Sequence, residues 1–498
     1  MLIFNFQFLI FNFFLVSCTP QPPTDLPLSA GTPPIYPDYA DVTLPPNIAP
    51  LNFLVRGEVE AVEAIATCGQ ESITVRSRGN KIIFKEKAWH QLLANARGKD
   101  ISVTLSALLT GSEASSNQQK KWKKWQFQWH VAPDSIDPYL TYRLIEPDYE
   151  IFQNLELRER NIENFSERPI STYRLLGNNC MNCHIYGSQS PQTSMFYVRG
   201  EGGGAILNEG GKLRKLNLKT ADMVSSSVYF NFSPSGRYVC FSTNIIVPAF
   251  HAKPSKRLEV YDSKSDVYIA DLKTNRIISS PLCADTAVYE TFPTFSPDGR
   301  YLYYCAAPQV SRAKDLQYRL CRIPFDEKTG QLGSQVDTIN TSEAQCSMPN
   351  AQCLSSVSHP RFSPDGRYLL YTAAAYGTFP IWHPEADLRL IDMQTGAINP
   401  LQGVNSPKGD TWHSWSSNSR WFVFASKRDD GLYGKPYFCY IDKSGRAHKP
   451  FVLPQRDPAF YDDNLKSFNV PELGKGPLPF DVENVKAVLK KDAEEFHR

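Results

Sequence analysis

The tightest constraint on this chain is a motif that returns. Phe232-Ser-Pro-Ser-Gly-Arg237 recurs as Phe295-Ser-Pro-Asp-Gly-Arg300 and Phe362-Ser-Pro-Asp-Gly-Arg367, and a worn copy stands at Trp415-Ser-Ser-Asn-Ser-Arg420. The copies begin at 232, 295, 362 and 415, so they lie 63, 67 and 53 residues apart. In each, Pro fixes φ at the first turn position, Asp bonds locally to the backbone and Gly accepts a positive φ. An aromatic-rich strand follows every copy, starting at Tyr238, Tyr301, Tyr368 and Trp421, and further strands end at Asp271, Asp392 and Asp442. That pattern is a tight hairpin between two buried strands. One such sheet cannot cover both of its faces, but several packed radially can, which makes a β-propeller. Residues 195–218 and the stretch after Lys449 are the candidates for the missing strands, so the expectation is six blades, or seven.

Upstream of the repeats, residues 47–133 show short strands and turns. Trp125, Phe127 and Trp129 alternate with Gln126, Gln128 and His130, a period of two that predicts a half-buried strand. A small β-sandwich is the simplest fold for this segment. Inside it, Lys120-Lys121-Trp122-Lys123-Lys124 is a basic run that reads first as a solvated strand end. Residues 134–200 read as a connector with a short helix over 155–162, residues 201–465 as the propeller, and 466–498 as a tail with a short helix. The chain as a whole is expected to be all-β: an N-terminal β-sandwich, a linker segment, then the propeller. With 53 Lys+Arg against 51 Asp+Glu the formal charge is only +2, which argues against nucleic acid as a partner.

Residues 1–16 carry no charge and are rich in Phe, Ile and Leu, a run too short to span a bilayer as a helix. It ends in Leu15-Val16-Ser17-Cys18, which resembles the lipobox of bacterial lipoproteins, although no Lys or Arg precedes it. Residues 1–18 are therefore expected to be a lipoprotein signal peptide and Cys18 the lipidated residue. The Pro-rich stretch 19–46 is then a tether. This places the protein in the bacterial cell envelope, held to the membrane by its lipid and facing the periplasm or the surface.

Cys180-Met-Asn-Cys183-His184 has the Cys-x-x-Cys-His spacing of covalent haem attachment. Two thiols at that separation reach two vinyl groups on one porphyrin edge, and the next His supplies the proximal iron ligand. Competing readings are weaker: a zinc site needs two further ligands close by, and a redox disulfide belongs at a helix start in a βαβ unit. The expected cofactor is one covalent haem c on Cys180, Cys183 and His184. The distal ligand is Met195 or, alternatively, His251.

The repeats resemble the TolB-like propeller family. Gly377-Thr-Phe-Pro-Ile-Trp-His-Pro-Glu-Ala-Asp-Leu388 and Trp412-His-Ser-Trp-Ser-Ser-Asn-Ser-Arg-Trp421 look like the haem-containing TolB-like lipoproteins common in Bacteroidetes. The resemblance implies a membrane-anchored, mono-haem c-type cytochrome working by electron transfer, with the propeller as docking platform for a redox partner protein. The alternative is a non-redox scaffold that binds envelope proteins, with haem as a structural element; a haem enzyme is a third reading. An electron carrier or binding protein is favoured over a hydrolase, because no Gly-x-Ser-x-Gly, His-Glu-x-x-His or P-loop occurs.

Two weaker constellations complete the reading. His359, His383 and His413 fall in the second half of the propeller, where packing hydrogen bonds weigh more than a metal or substrate site. Cys346 and Cys353 share one polar loop and are candidates for a disulfide, while Cys240 and Cys305 sit within strands as small buried hydrophobes.

Overall fold

The computed structural model describes residues 19–110, 120–146, 154–177, 180–252, 258–341 and 354–498. Strands dominate it. Among the described residues the α-helices are Glu86–Asn95, Phe460–Asp463 and Val482–Leu489, so the all-β expectation holds. Cys18, Cys346 and Cys353 lie outside the described residues.

The N-terminal unit pairs a five-stranded sheet with a three-stranded one. The larger runs in the order Val42–Leu44, Lys121–Val131, Asp100–Leu109, Val59–Cys68, Glu71–Arg78; the smaller joins Ile35–Tyr36, Phe53–Val55 and Lys81–Ile82. Trp125, Phe127 and Trp129 are buried while Gln126 and Gln128 are exposed, because successive strand residues face opposite ways. The indole N–H of Trp129 donates to Tyr39 O at 2.8 Å, so the ring is buried without stranding its donor.

The rest of the chain forms a succession of antiparallel sheets. Four follow one plan: Ser227–Phe232 leads Tyr238–Phe250, Leu258–Asp271 and Arg276–Ile278, and Val288–Phe295, Ser356–Phe362 and Asp410–Trp415 each lead a similar set. The turn motif joins the first two strands of each. Its chemistry is the expected one: Gly236, Gly299 and Gly366 sit at φ of 73°, 70° and 72°, and the N–H of Gly236 donates to Ser233 O at 2.9 Å.

Two further sheets combine segments expected to be connector or tail with residues 195–218, where missing strands were expected. Residues 134–200 do not form a plain connector. Tyr139–Ile145, Glu156–Asn161 and Glu167–Thr172 build one sheet, whose first strand, Ser467–Gly474, arrives from the C-terminal region. Met181–Gly187 and Ser190–Val198 open another, with Gly204–Glu209, Lys212–Asn217 and a parallel Glu494–Glu495. The helix expected over 155–162 is a strand. Glu and Arg favour helix locally, but pairing on both sides, to Tyr139–Ile145 and Glu167–Thr172, outweighs that preference. The C-terminal tail carries a short helix, Val482–Leu489, which starts at a capping box in which Asp481 accepts from Asn484 N.

The worn fourth turn has a structural cause. Ser417 stands where the other copies have Pro, and its N–H donates to Asp137 Oδ2 at 2.7 Å. Asn418 donates to Ser135 O at 2.6 Å and the Trp421 indole to Asp134 O at 2.9 Å. The turn is thus the dock for the segment that leaves the sandwich, and a proline there would have no N–H to offer.

Candidate functional site: an aromatic collar between two cavities

The leading strands share an irregularity. Pairing to the second strand shifts between Val228/Asn231, Thr291/Thr294, Ser358/Arg361 and Thr411/His413, and likewise between Asn469/Glu472 and Asn182/Ile185. Five of these bulges hold a non-glycine residue at positive φ: Tyr229 at 55°, Phe292 at 50°, His359 at 53°, Trp412 at 44° and Val470 at 50°. Such a conformation costs on the order of 1–3 kcal/mol each, so the surrounding pairing must hold it in place. The return is position. Ring centroids stand 4.3 Å apart for Tyr229–Phe292, 3.8 Å for Phe292–His359 and 3.9 Å for His359–Trp412. The four rings make a collar where the leading strands meet.

The collar borders two spaces. The larger, about 430 Å³, shares Tyr229, Trp412 and Val470 with it and is walled by Phe379, Ile381 and Trp382 and by Ile246 and Val260 of the long hairpin. Arg143, Arg199 and Lys427 also line it, against one acid among the described residues, Glu146. Lys427 Nζ donates to Ile381 O at 2.7 Å and lies 4.9 Å over the Trp382 ring. Burial pulls its pKa down from 10.5 to about 8, so it still carries its proton at neutral pH. Arg143 Nε is buried with no hydrogen-bond partner among the described residues. The cleft therefore combines aromatic walls with the cationic groups of Arg143 and Lys427.

The smaller cavity, about 40 Å³, is lined by His184, His359, His413, Arg361 and Glu472 beside the collar. Arg361 and Glu472 form a close ion pair, and burial nevertheless raises the Glu472 carboxyl to about 7. His413 Nε2 donates to Leu370 O at 2.9 Å, and His184 bonds the Thr141 backbone. Burial holds the imidazoles of His184 and His413 down at about 3 and that of His359 well below its ordinary value, so all three are neutral. Among the described residues, His184 Nε2, His413 Nδ1 and both nitrogens of His359 have no hydrogen-bond partner.

The other residues singled out from sequence are dispersed. His383 pairs with Glu385 at 2.9 Å and touches the Tyr376 ring, and lines neither space. Met195 is fully buried opposite Ile185 and Leu207 in an apolar cluster with Phe230. His251 Nε2 lies 2.5 Å from Glu259, toward the end of the long hairpin. Among the described residues, no group of three or more His, Cys, Asp and Glu gathers as a metal site.

The haem attachment expected at Cys180, Cys183 and His184 does not fit this arrangement. Attachment needs both thiols and the imidazole to face one space large enough for a porphyrin. Cys180 lines the large cleft, whereas His184 lines the 40 Å³ cavity. The segment is a bulged strand, Met181–Gly187, paired to Ser190–Val198. The side chain of Cys183 lies outside the described residues. The readings as an electron-transferring cytochrome and as a scaffold stapled by haem are corrected accordingly.

No family model matches the chain, and no curated protein does. Solved structures do. The tricorn protease aligns at 10% identity and a TM-score of 0.34, over 86% of this chain and 36% of that one. A Mycobacterium tuberculosis puromycin-hydrolysing peptidase aligns at 11% and 0.34, over 86% and 57%. Prolyl oligopeptidase B from Galerina marginata aligns at 12% and 0.33, over 62% and 42%. The chain spans between about a third and somewhat over half of these proteins' lengths. All three of these solved structures are described as peptidases, and none of the three is described as a haem protein.

Proposed function

We propose that this chain is a lipid-anchored, six-bladed β-propeller of the cell envelope that binds an amphipathic organic anion in the cleft above its axis. The six leading strands support the architecture, since each touches the next and Ser467–Gly474 touches Met181–Gly187. The Leu15-Val16-Ser17-Cys18 sequence and the resemblance of the repeats to TolB-like lipoproteins support the anchor and the location.

One observation carries the ligand class: Arg143 and Lys427 share a cleft with Trp382, Trp412, Phe379 and Tyr229. A volume of about 430 Å³ suits a small organic molecule. The aromatic walls take a flat apolar body, and the cations take its carboxylate or phosphate.

Trp382 and Trp412 report on occupancy through their fluorescence. The chain is titrated with polycyclic aromatic carboxylates and with their neutral methyl esters. The expected result is saturable quenching by the acids at an affinity at least tenfold above that of the esters, weakened in a Lys427→Met variant. Equal binding of acids and esters, or no saturable quenching, sinks the reading.

A further inference from the structure

The N-terminal tether ends against the basic run. Leu28 bridges in parallel to Lys124, and Ser29 N donates to Lys124 O at 2.7 Å. Leu28 is 59% exposed, and Trp122 beside it is half-buried. Nine residues, 19–27, separate Leu28 from Cys18. At roughly 3.5 Å per extended residue their reach is on the order of 30 Å.

The charges at this strand end are unequal. Lys120 pairs with Glu60 at 2.6 Å, and Arg76 pairs with the buried Glu63. Among the described residues, no carboxylate lies within ion-pair reach of Lys121, Lys123 or Lys124. Between Cys18 and Leu28 the tether carries one acid, Asp25. Lys124 therefore shares a face of the strand end with Trp122, Lys121 and Lys123 lie on the other face, and none of the three has a carboxylate partner among the described residues, at the point from which the chain leaves toward its anchor.

We infer that this strand end faces the bilayer and binds anionic phospholipid headgroups, as a second attachment beside the acyl chains on Cys18. The inference rests on the reading of Cys18 as lipidated. Lysines near an anionic leaflet each strengthen attachment by about fivefold, and tryptophan settles at the headgroup level. With the tether this short, the basic run stays near the surface that holds the anchor, and its charge is complementary to that surface.

The test uses the chain carrying Cys18→Ser, which cannot be acylated. Its sedimentation is measured with vesicles of phosphatidylcholine alone and with vesicles containing phosphatidylglycerol. The expected partition is on the order of a hundredfold higher with phosphatidylglycerol, and falls steeply in high salt. Adding Lys121→Gln, Lys123→Gln and Lys124→Gln removes most of that difference. Equal partition into the two vesicle types, or unaltered binding by the triple variant, overturns the inference. Lys121 is exposed and Lys123 and Lys124 are half-buried, so circular dichroism and Tm of the triple variant separate lost binding from lost fold. The anchor is tested apart, by the mass of the Cys18 peptide from the unsubstituted chain. A bare thiol there refutes the anchor and leaves the vesicle result to stand or fall alone.

Discussion

The backbone N–H of Ser417 donates to Asp137 Oδ2 at 2.7 Å, and the Ser417 hydroxyl donates to Asp137 Oδ1 at the same distance. The two residues are 280 positions apart. They join the exit of the sandwich to the one repeat turn that has lost its proline. Restoring the proline with Ser417→Pro should therefore destabilise the protein, against the usual expectation for a consensus turn residue. Two hydrogen bonds to a buried carboxylate go, at a cost of about 2–4 kcal/mol. Thermal melting checks this: Asp137→Ala and Ser417→Pro should lower Tm by similar amounts, and the double variant by little more than either. A proline variant that melts higher than the parent refutes the docking role.

Much of the fold was legible because its signals are local. The Pro-Asp-Gly turns, the period-two strand through Trp125, Phe127 and Trp129, and the aromatic strands all depend on near neighbours in sequence. The strands between residues 139 and 198 were not legible, since Glu156–Asn161 is a strand only through its two partners. The collar left a trace that was passed over. Tyr229, Phe292, His359 and Trp412 each stand three residues before the aromatic that opens a turn copy. Their meaning, however, comes from bulges that no spacing announces. Arg143 and Lys427 reach one cleft from distant segments with no shared motif. Cys180 and His184 are conspicuous in sequence, but spacing alone does not say whether they face a common space.

The buried histidines of the small cavity predict acid sensitivity. His413 has a folded pKa of about 3 against about 6.5 in an unfolded chain, because burial disfavours the imidazolium. The unfolded chain takes up a proton that the folded chain refuses. The contribution of this group to stability is thus complete above pH 6.5 and is lost as pH falls toward 3, by about 2 kcal/mol at pH 5. His184 acts with the same sign. Glu472 and Glu290, raised by burial to about 7 and about 8, act with the opposite sign and lose stability as pH rises. A comparison isolates the imidazole: His413→Asn should fall in Tm less than the parent between pH 7 and pH 5. Parallel Tm profiles would show that His413 is not held neutral.

Lys427 predicts the pH dependence of binding. Its ammonium persists below about pH 8 and is lost above it, since burial against Ile381 and Trp382 disfavours the charge. Affinity for an aromatic carboxylate should be level from pH 6 to 7.5 and fall severalfold by pH 9. Lys427→Met should bind more weakly at pH 7 and show a level profile across that range. Fluorescence titration at each pH reads both effects. An unaltered profile in the variant would remove Lys427 from the site.

The C-terminal region predicts two grades of damage. Ser467–Gly474 is the first strand of a sheet whose other three strands precede Cys180, so it ties the chain's two ends together. Downstream, Val485, Val488 and Leu489 of the last helix are buried in a cluster with Phe196, Ile206 and Phe480. A chain ending at residue 474 keeps the strand and loses the helix. Burial of side chains this size contributes about 1.5–3 kcal/mol each, so it should fold with a markedly lowered Tm. A chain ending at residue 466 also strips Tyr139–Ile145 of its partner and exposes that strand edge, which invites aggregation. Loss of three buried side chains and a strand approaches the whole stability of a domain, about 5–15 kcal/mol, so this chain should not persist as a folded monomer. Size-exclusion chromatography and limited proteolysis distinguish the two. A monomeric, protease-resistant chain ending at 466 would show that the sheet forms without its C-terminal strand.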